Sequence, residues 1–414
     1  MLTRAGFTFL VVIALCCSVL TAQQNWPEFR GNNGTGHARA SLPADLEDTK
    51  NLAWKTKIHG KGWSSPVVWD QQVWLTTATT DGKKMSVLCL DLKTGKILLD
   101  RVIHENKKVD FSHPTNSYAT PTPAVNQDHV FLHFGRYGTT CLNRKTFKQI
   151  WQRTDLPCNH HRGPASSPIL HDGKLFVALD GYDQQYVVAL DQKSGKTIWR
   201  KKREIEYGTN NGDAMKAYGT AAVFKFGDKT MLVYPSAVAT IAYDPKSGDT
   251  IWKVYHGGMN ASARPVLTKE GNLLITNGMG TMVAVNPRGK GNITSTNIAW
   301  STRRSICKKS SPLVIGDRVY FVNDKGIAQC LDSKTGKRIW QERLGGNFSS
   351  SPVFDGEKIF MFGENGEAHV FKPADEFILL GHAKLAKGFK ASPAIVGNKL
   401  LVRSFEYLFC FQGK

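Results

Sequence analysis

The chain has 414 residues, with 54 Lys or Arg against 34 Asp or Glu, for a formal net charge of +20. With 41% hydrophobic and 21% charged residues it lies within the globular range, which excludes intrinsic disorder, collagen-like sequence and a polytopic membrane protein. Length alone suggests domains of roughly 150 residues each, but repeat architectures build one body from many small units, so repeats take precedence.

Residues 1–22 carry a single basic residue, Arg4, an apolar run from Phe7 to Leu20 and small residues ending at Ala22, which reads as a cleavable secretory signal. The run is shorter than the roughly 20 apolar residues of a membrane span. Leu15 before Cys16, and Cys16 before Cys17, are poor fits to a lipoprotein box. The mature chain is therefore expected to be extracytoplasmic, periplasmic or secreted, with no membrane span after signal cleavage. Residues 23–50 form an N-terminal arm that could dock onto the following domain, with Trp26 and Phe29 as anchors. The glycine run GNNGTG at 31–36 is neither a dinucleotide fingerprint nor a phosphate loop and reads as loop.

From residue 51 to 414 one pattern recurs. One mark reads Cys89-LDLKTGKILL, Cys141-LNRKTFKQIW, Ala189-LDQKSGKTIW, Ala242-YDPKSGDTIW, Ala284-VNPRGKG and Cys330-LDSKTGKRIW, with weaker copies at Val370 and Cys410. Upstream of each lies a second mark, a small-residue pair before Pro or Ala, as in SSPVV, SSPIL and SSPLV. Register points at Pro66, Pro123, Pro168, Ala221, Pro265, Pro312, Pro352 and Pro393 define eight units with a mean step of about 47 residues. Between the marks run alternating apolar stretches with Asp-Gly or Gly-Asp bends, as in PILHDGKLFVAL, which are hairpin signals. Four short strands per unit at this spacing predict an all-β, eight-bladed β-propeller of antiparallel blades. NLAWKTKI at 51–58 has no blade before it and the last unit stops at Phe411, so the N-terminal strand is expected to complete the last blade and leave no open edge.

The element AxDxKTGKxxW resembles the tryptophan-docking repeat of the pyrroloquinoline quinone (PQQ) propeller superfamily, and WPEFRGNNGTG, AWKTKIHGKGWSSPVVW and NSYATPTP are similar to secreted bacterial PQQ-like repeat proteins. Trp54, Trp151, Trp199, Trp252, Trp300 and Trp340 share one repeat position and are expected to pack between blades, with Leu99 and Leu380 in the same slot. Outside the signal, Cys89, Cys141, Cys330 and Cys410 fall at a strand position and read as core. Cys158 and Cys307 fall in loops some three blades apart, so a disulfide between them would need a long reach. No CxxC pair supports zinc or redox chemistry. CNHH at 158–161 is not read as a metal site, because adjacent side chains in extended chain point apart.

The loops from each outermost strand to the next innermost strand emerge together on one face. The ligand-binding candidates there are Lys61, Trp63, His113, Asn116, Tyr118, His160, His161, Arg162, Lys216, Tyr218, Asn260, Arg264, Arg303, Lys308 and Lys390. Segments 253–265, 301–312 and 381–393 contain no Asp or Glu, which predicts a positive funnel that concentrates anions. The competing reading takes these as solvated charges of a generally basic protein. Resemblance to quinone-dependent dehydrogenases implies PQQ with Ca²⁺, a catalytic Asp and often an adjacent Cys pair. Here the one adjacent Cys pair lies in the signal, and Asp110 and Asp213 are the only obvious acids to stand in.

The expected function is thus a non-catalytic binding or scaffold propeller with no cofactor and no catalytic residue, similar in architecture to the propeller lipoprotein of the outer-membrane β-barrel assembly machinery. Its expected partner is a protein or an anionic polysaccharide rather than nucleic acid, met as a monomer. The alternative is a PQQ-dependent oxidoreductase, or another enzyme acting on alcohols or carbohydrates.

Overall fold

The computed structural model describes residues 25–47, 49–277 and 279–414, and the signal assigned to residues 1–22 lies outside them. Among the described residues the chain forms eight sheets, each built on four antiparallel strands that run in sequence order from the axis outward except for the last strand of blade 8, which is the eight-bladed propeller expected from the repeat. Blade 8 contains Ala394–Val396, Lys399–Arg403 and Tyr407–Gln412, and its outermost strand is Leu52–Lys57, with Trp54 opposite Cys410. The N-terminal strand therefore closes the ring and neither end of the blade series keeps an open edge. Among the described residues no helix is long and apolar enough to cross a membrane.

The repeat marks have distinct mechanical roles. In the K-T/S-G turn the aspartate or asparagine side chain caps the bend: Asp91 Oδ1 accepts from the amide and hydroxyl of Thr94, and Asp191 Oδ1 does the same for Ser194. The glycine that follows holds a positive φ, +70° at Gly195, and its bare Cα seats the indole of the preceding blade. A Cβ at Gly195 would lie 2.6 Å from Trp151, and one at Gly95 would lie 2.6 Å from Trp54. Several of these indole N–H groups donate to the same turn, Trp54 to Leu92 O at 3.0 Å, Trp151 to Gln192 O at 2.9 Å and Trp300 to Ser333 O at 2.9 Å. Blade 5 lacks the K-T-G turn. Its longer connection instead supplies Gly291–Asn292, which runs parallel to Thr250–Tyr255 as a fifth strand and lays Gly291 beside Trp252.

The Ser-Ser-Pro mark builds a ring at the axis. The amide of Ser65 donates to Thr122 Oγ1, that of Thr122 to Ser167 Oγ, and that of Ser167 to Thr220 Oγ1, all at 2.9–3.0 Å. On the other side Arg264, Ser311, Ser351 and Ser392 donate in turn to Ser311, Ser351, Ser392 and Ser65, again at 2.9–3.0 Å. The circle breaks where blade 5 has Arg264, which offers no hydroxyl to its neighbour.

Candidate functional site

The break in the ring is where Arg264 takes hold of the arm. Trp26 exchanges two backbone hydrogen bonds with Val68 of blade 1, and Val125 of blade 2 donates to Pro27 O. Across the ring, Arg264 of blade 5 donates to Phe29 O at 2.6 Å and to Glu28 Oε1 at 3.1 Å. Arg30 reaches Pro312 O of blade 6 at 3.0 Å, and Ala38 and Ala40 bond the backbone of Phe354 and Asp355 in blade 7. A segment bonded to blades 1 and 2 and then to blades 5, 6 and 7 of an eight-blade ring must cross the axis. Trp26, Arg30 and Arg264 are fully buried in it. Burial lowers the Arg30 pKa to about 9, with the Arg264 charge adding to the effect.

Above this plug lies a cavity of about 340 Å³ with Phe29 in its lining. Its wall is built from the outer-to-inner loops of all eight blades, from the axial hydroxyls Ser65, Thr122, Ser167, Thr220 and Ser392, and from Met279 and Asp324 in hairpin turns. Trp63, Tyr218, Met259 and Met279 give it an apolar side. Of the candidates named from sequence, Trp63, His113, Asn116, Arg162, Tyr218, Asn260, Lys308 and Lys390 line this one cavity. Lys61 stands beside it, its ammonium 5.7 Å from the centre of the Trp63 ring and donating to Pro114 O.

The remaining candidates serve the framework. Tyr118 donates to Asp110 O, and His160 is buried with Nε2 accepting from the Arg136 amide. Burial holds the His160 imidazole well below its usual range, with nearby Lys216 acting in the same direction. His161 lies against Phe111 and Tyr182. Lys216 is fully buried with an unpaired Nζ, 4.7 Å from the Tyr218 ring centre, and burial brings its pKa down to about 8. Arg264 is committed to the arm, and Arg303 Nε donates to Thr281 Oγ1.

The charge of the wall is more balanced than the loop composition implies. Arg162, Lys308, Lys309 and Lys390 line the cavity, but Arg162 makes a two-pronged pair with Asp213 at 2.6–2.7 Å. Lys309 lies 3.2 Å from Glu364 and 3.6 Å from Asp324, and Lys390 lies 3.5 Å from Glu364. Asp324 and Glu364 come from turns between second and third strands, which emerge on the same face as the loops that lack acids. Among the described residues, the Lys308 ammonium makes no ion pair, although its amide donates to Asp324 Oδ1. Asp110 is likewise held by Arg136, with both oxygens within 2.9 Å of Nη1.

The family described as outer membrane protein assembly factor BamB matches residues 38–236, 110–342 and 237–412. A protein of that name from Moranella endobia (strain PCIT) is 24% identical over 253 residues, which is 60% of this chain and 60% of the relative. The matches to it and to the Burkholderia pseudomallei (strain K96243) protein of the same name span less than two thirds of those relatives' own length. Among solved structures, BamB from Moraxella catarrhalis aligns with a TM-score of 0.62 at 14% identity, over 88% of this chain and 97% of that one. Quinohemoprotein alcohol dehydrogenase from Comamonas testosteroni aligns at 0.71 and 12% identity, over 94% and 81%. At these identities the structural likeness speaks to fold.

Proposed function

The chain belongs to the PQQ-type repeat family described as outer membrane protein assembly factor BamB, and from that premise we propose that it is a non-catalytic, extracytoplasmic scaffold whose axial cavity receives an acidic segment of a protein partner. The carrying observation is the shape and lining of that cavity. The arm closes the channel beneath it, so a ligand enters and leaves by one face and no polymer threads through. A cavity of about 340 Å³, with Trp63, Tyr218 and two methionines on its wall, suits one or two side chains of an inserted loop. Lys308 supplies the unpaired cation, and Lys61 beside Trp63 supplies a second, which together favour a carboxylate at the entrance.

The alternative reading is a PQQ-dependent oxidoreductase, in which Ca²⁺ would polarise the quinone. The donor set does not fit that group. Calcium takes about 6–8 oxygen ligands with carboxylates among them, whereas the cavity wall has one carboxylate, Asp324, and it lies 3.6 Å from the Lys309 ammonium. Asp110 and Asp213, the acids singled out from sequence, are neutralised by Arg136 and Arg162.

The test is calorimetric titration of the full mature chain with a Glu-rich peptide and with its Lys-rich counterpart, at low and at physiological ionic strength. Selective, salt-weakened binding of the acidic peptide that is lost in Lys308→Glu is expected. Equal binding of both peptides, or binding indifferent to Lys308→Glu, would overturn the acidic-segment reading, and an anionic polysaccharide would then be titrated in the same way. Turnover in a dye-linked alcohol oxidation assay with added PQQ and Ca²⁺ would overturn the non-catalytic reading.

A further inference from the structure

We propose that Glu367, His369 and His382 on blade 7 form a binding site for a divalent transition cation of the zinc class. Strands Glu367–Lys372 and Ile378–Lys384 pair antiparallel with His369 directly opposite His382, and alternation along the strand puts Glu367 on the same face as His369. The two imidazole centroids are 4.8 Å apart, and each Nε2 lies 3.7 Å from the same oxygen, Glu367 Oε2. Those distances are too long for hydrogen bonds. They are close to the spacing of donors around a tetrahedral ion, which is about 3.4 Å for bonds of about 2.0–2.1 Å. The ligand atoms of all three residues lie within 4.8 Å of one another, so the two imidazoles would have to close on each other by roughly 1–1.5 Å to bring all three donors onto one tetrahedral ion.

A second observation points the same way. His369 is 5% exposed, yet its Nε2 has no hydrogen-bond partner. A buried polar atom without a partner is rare in a folded protein, and a bound cation would satisfy this one. The His382 side chain is 48% exposed, which gives an ion an entry path. Two imidazoles and one carboxylate suit Zn²⁺, Ni²⁺ or Cu²⁺, and are a poor set for Ca²⁺ or Mg²⁺, which prefer oxygen throughout. Three protein ligands leave one position for water or for a side chain from a partner. The site is separate from the axial cavity and borders the end of the arm, where Glu47 Oε1 accepts the amide of Lys384. Among the described residues no other group of three such ligands converges.

The test is titration of the chelator-treated mature protein with ZnCl₂ against a chromophoric competitor, and with CoCl₂ followed by visible absorption. His382→Gln and Glu367→Gln change partly exposed side chains, and metal-free melting curves serve as the folding control. One Zn²⁺ equivalent is expected in the wild type. Its affinity should fall in each variant by more than the roughly 10–100-fold that loss of an outer-shell partner costs, and the cobalt absorption band should vanish in both. Equal zinc affinity and stoichiometry in the wild type and His382→Gln would place the metal on other surface histidines and overturn the proposal, as would the lack of any competitor displacement by the wild type.

Discussion

Two glycines of blade 3 have the same backbone angle and different surroundings. Gly173 and Gly195 both sit at φ +70°, but a Cβ at Gly173 would meet nothing within 4 Å, whereas one at Gly195 would meet the Trp151 ring at 2.6 Å. In Gly173→Ala the left-handed backbone costs roughly 1–2 kcal/mol, partly offset by about 0.4–1 kcal/mol from the stiffer unfolded chain, so a net loss near 1 kcal/mol is expected. Gly195→Ala carries the same strain and also displaces an indole that is 8% exposed. That indole gives up its 2.9 Å hydrogen bond to Gln192 O, worth about 1 kcal/mol, and part of an aromatic burial worth about 1.5–3 kcal/mol. The second variant should therefore lie about 2–3 kcal/mol below the first. Urea unfolding followed by circular dichroism measures the difference, and a red shift in native tryptophan emission should appear in Gly195→Ala alone. If both variants unfold within about 0.5 kcal/mol of each other, as neutral surface changes do, the indole-on-glycine contact does not lock the blades and the reasoning fails.

Burial brings the Lys216 pKa down to about 8 in the folded chain from an ordinary 10.5, so between those values the unfolded chain holds more protons. Wild-type stability should rise with pH across that window relative to Lys216→Met, by up to about 3 kcal/mol, as read from paired denaturation curves. Arg264→Ser removes the guanidinium that pairs with Glu28 and supplies the hydroxyl missing from the axial ring; the stranded carboxylate should cost roughly 3–5 kcal/mol, and limited proteolysis should cut the arm faster than in the wild type. Because burial raises the Glu28 pKa, the folded variant holds its proton more tightly than the unfolded chain, and its deficit should shrink as pH falls. The six cysteines among the described residues are free and buried, with thiols such as Cys141 pushed up to about 12, so a thiol reagent should label none of these in the native protein and all six after denaturation.

The fold was legible because its marks repeat in register: the K-T-G turn, the tryptophan and the Ser-Ser-Pro step each recur at one place per unit. Half of the axial site was legible too, since the loops that carry Trp63, Arg162, Tyr218 and Lys308 could be assigned to one face. The acids Asp324 and Glu364 were not, because composition was counted along single loops, whereas the face also collects turns from within each blade. The serine and threonine hydroxyls were visible as a motif, but only the ring geometry turns them from register points into hydrogen-bond links. Glu367, His369 and His382 carry no spacing signature. Which residue faces His369 depends on the register shift between Val370 and Phe371, and that is a property of the paired strands.

The closing strand has a consequence for the order of events in biogenesis. Leu52 pairs with Phe411, so the earliest strand of the ring waits for the last one to be synthesised before it finds its place. Until then, blades 1 to 7 can form from contacts between neighbours in sequence, while blade 8 presents an unpaired edge that invites association with other chains. A chain cut short before Tyr407 would never bury that edge. Completion of the circle thus removes an edge that would otherwise be open to pairing with other chains.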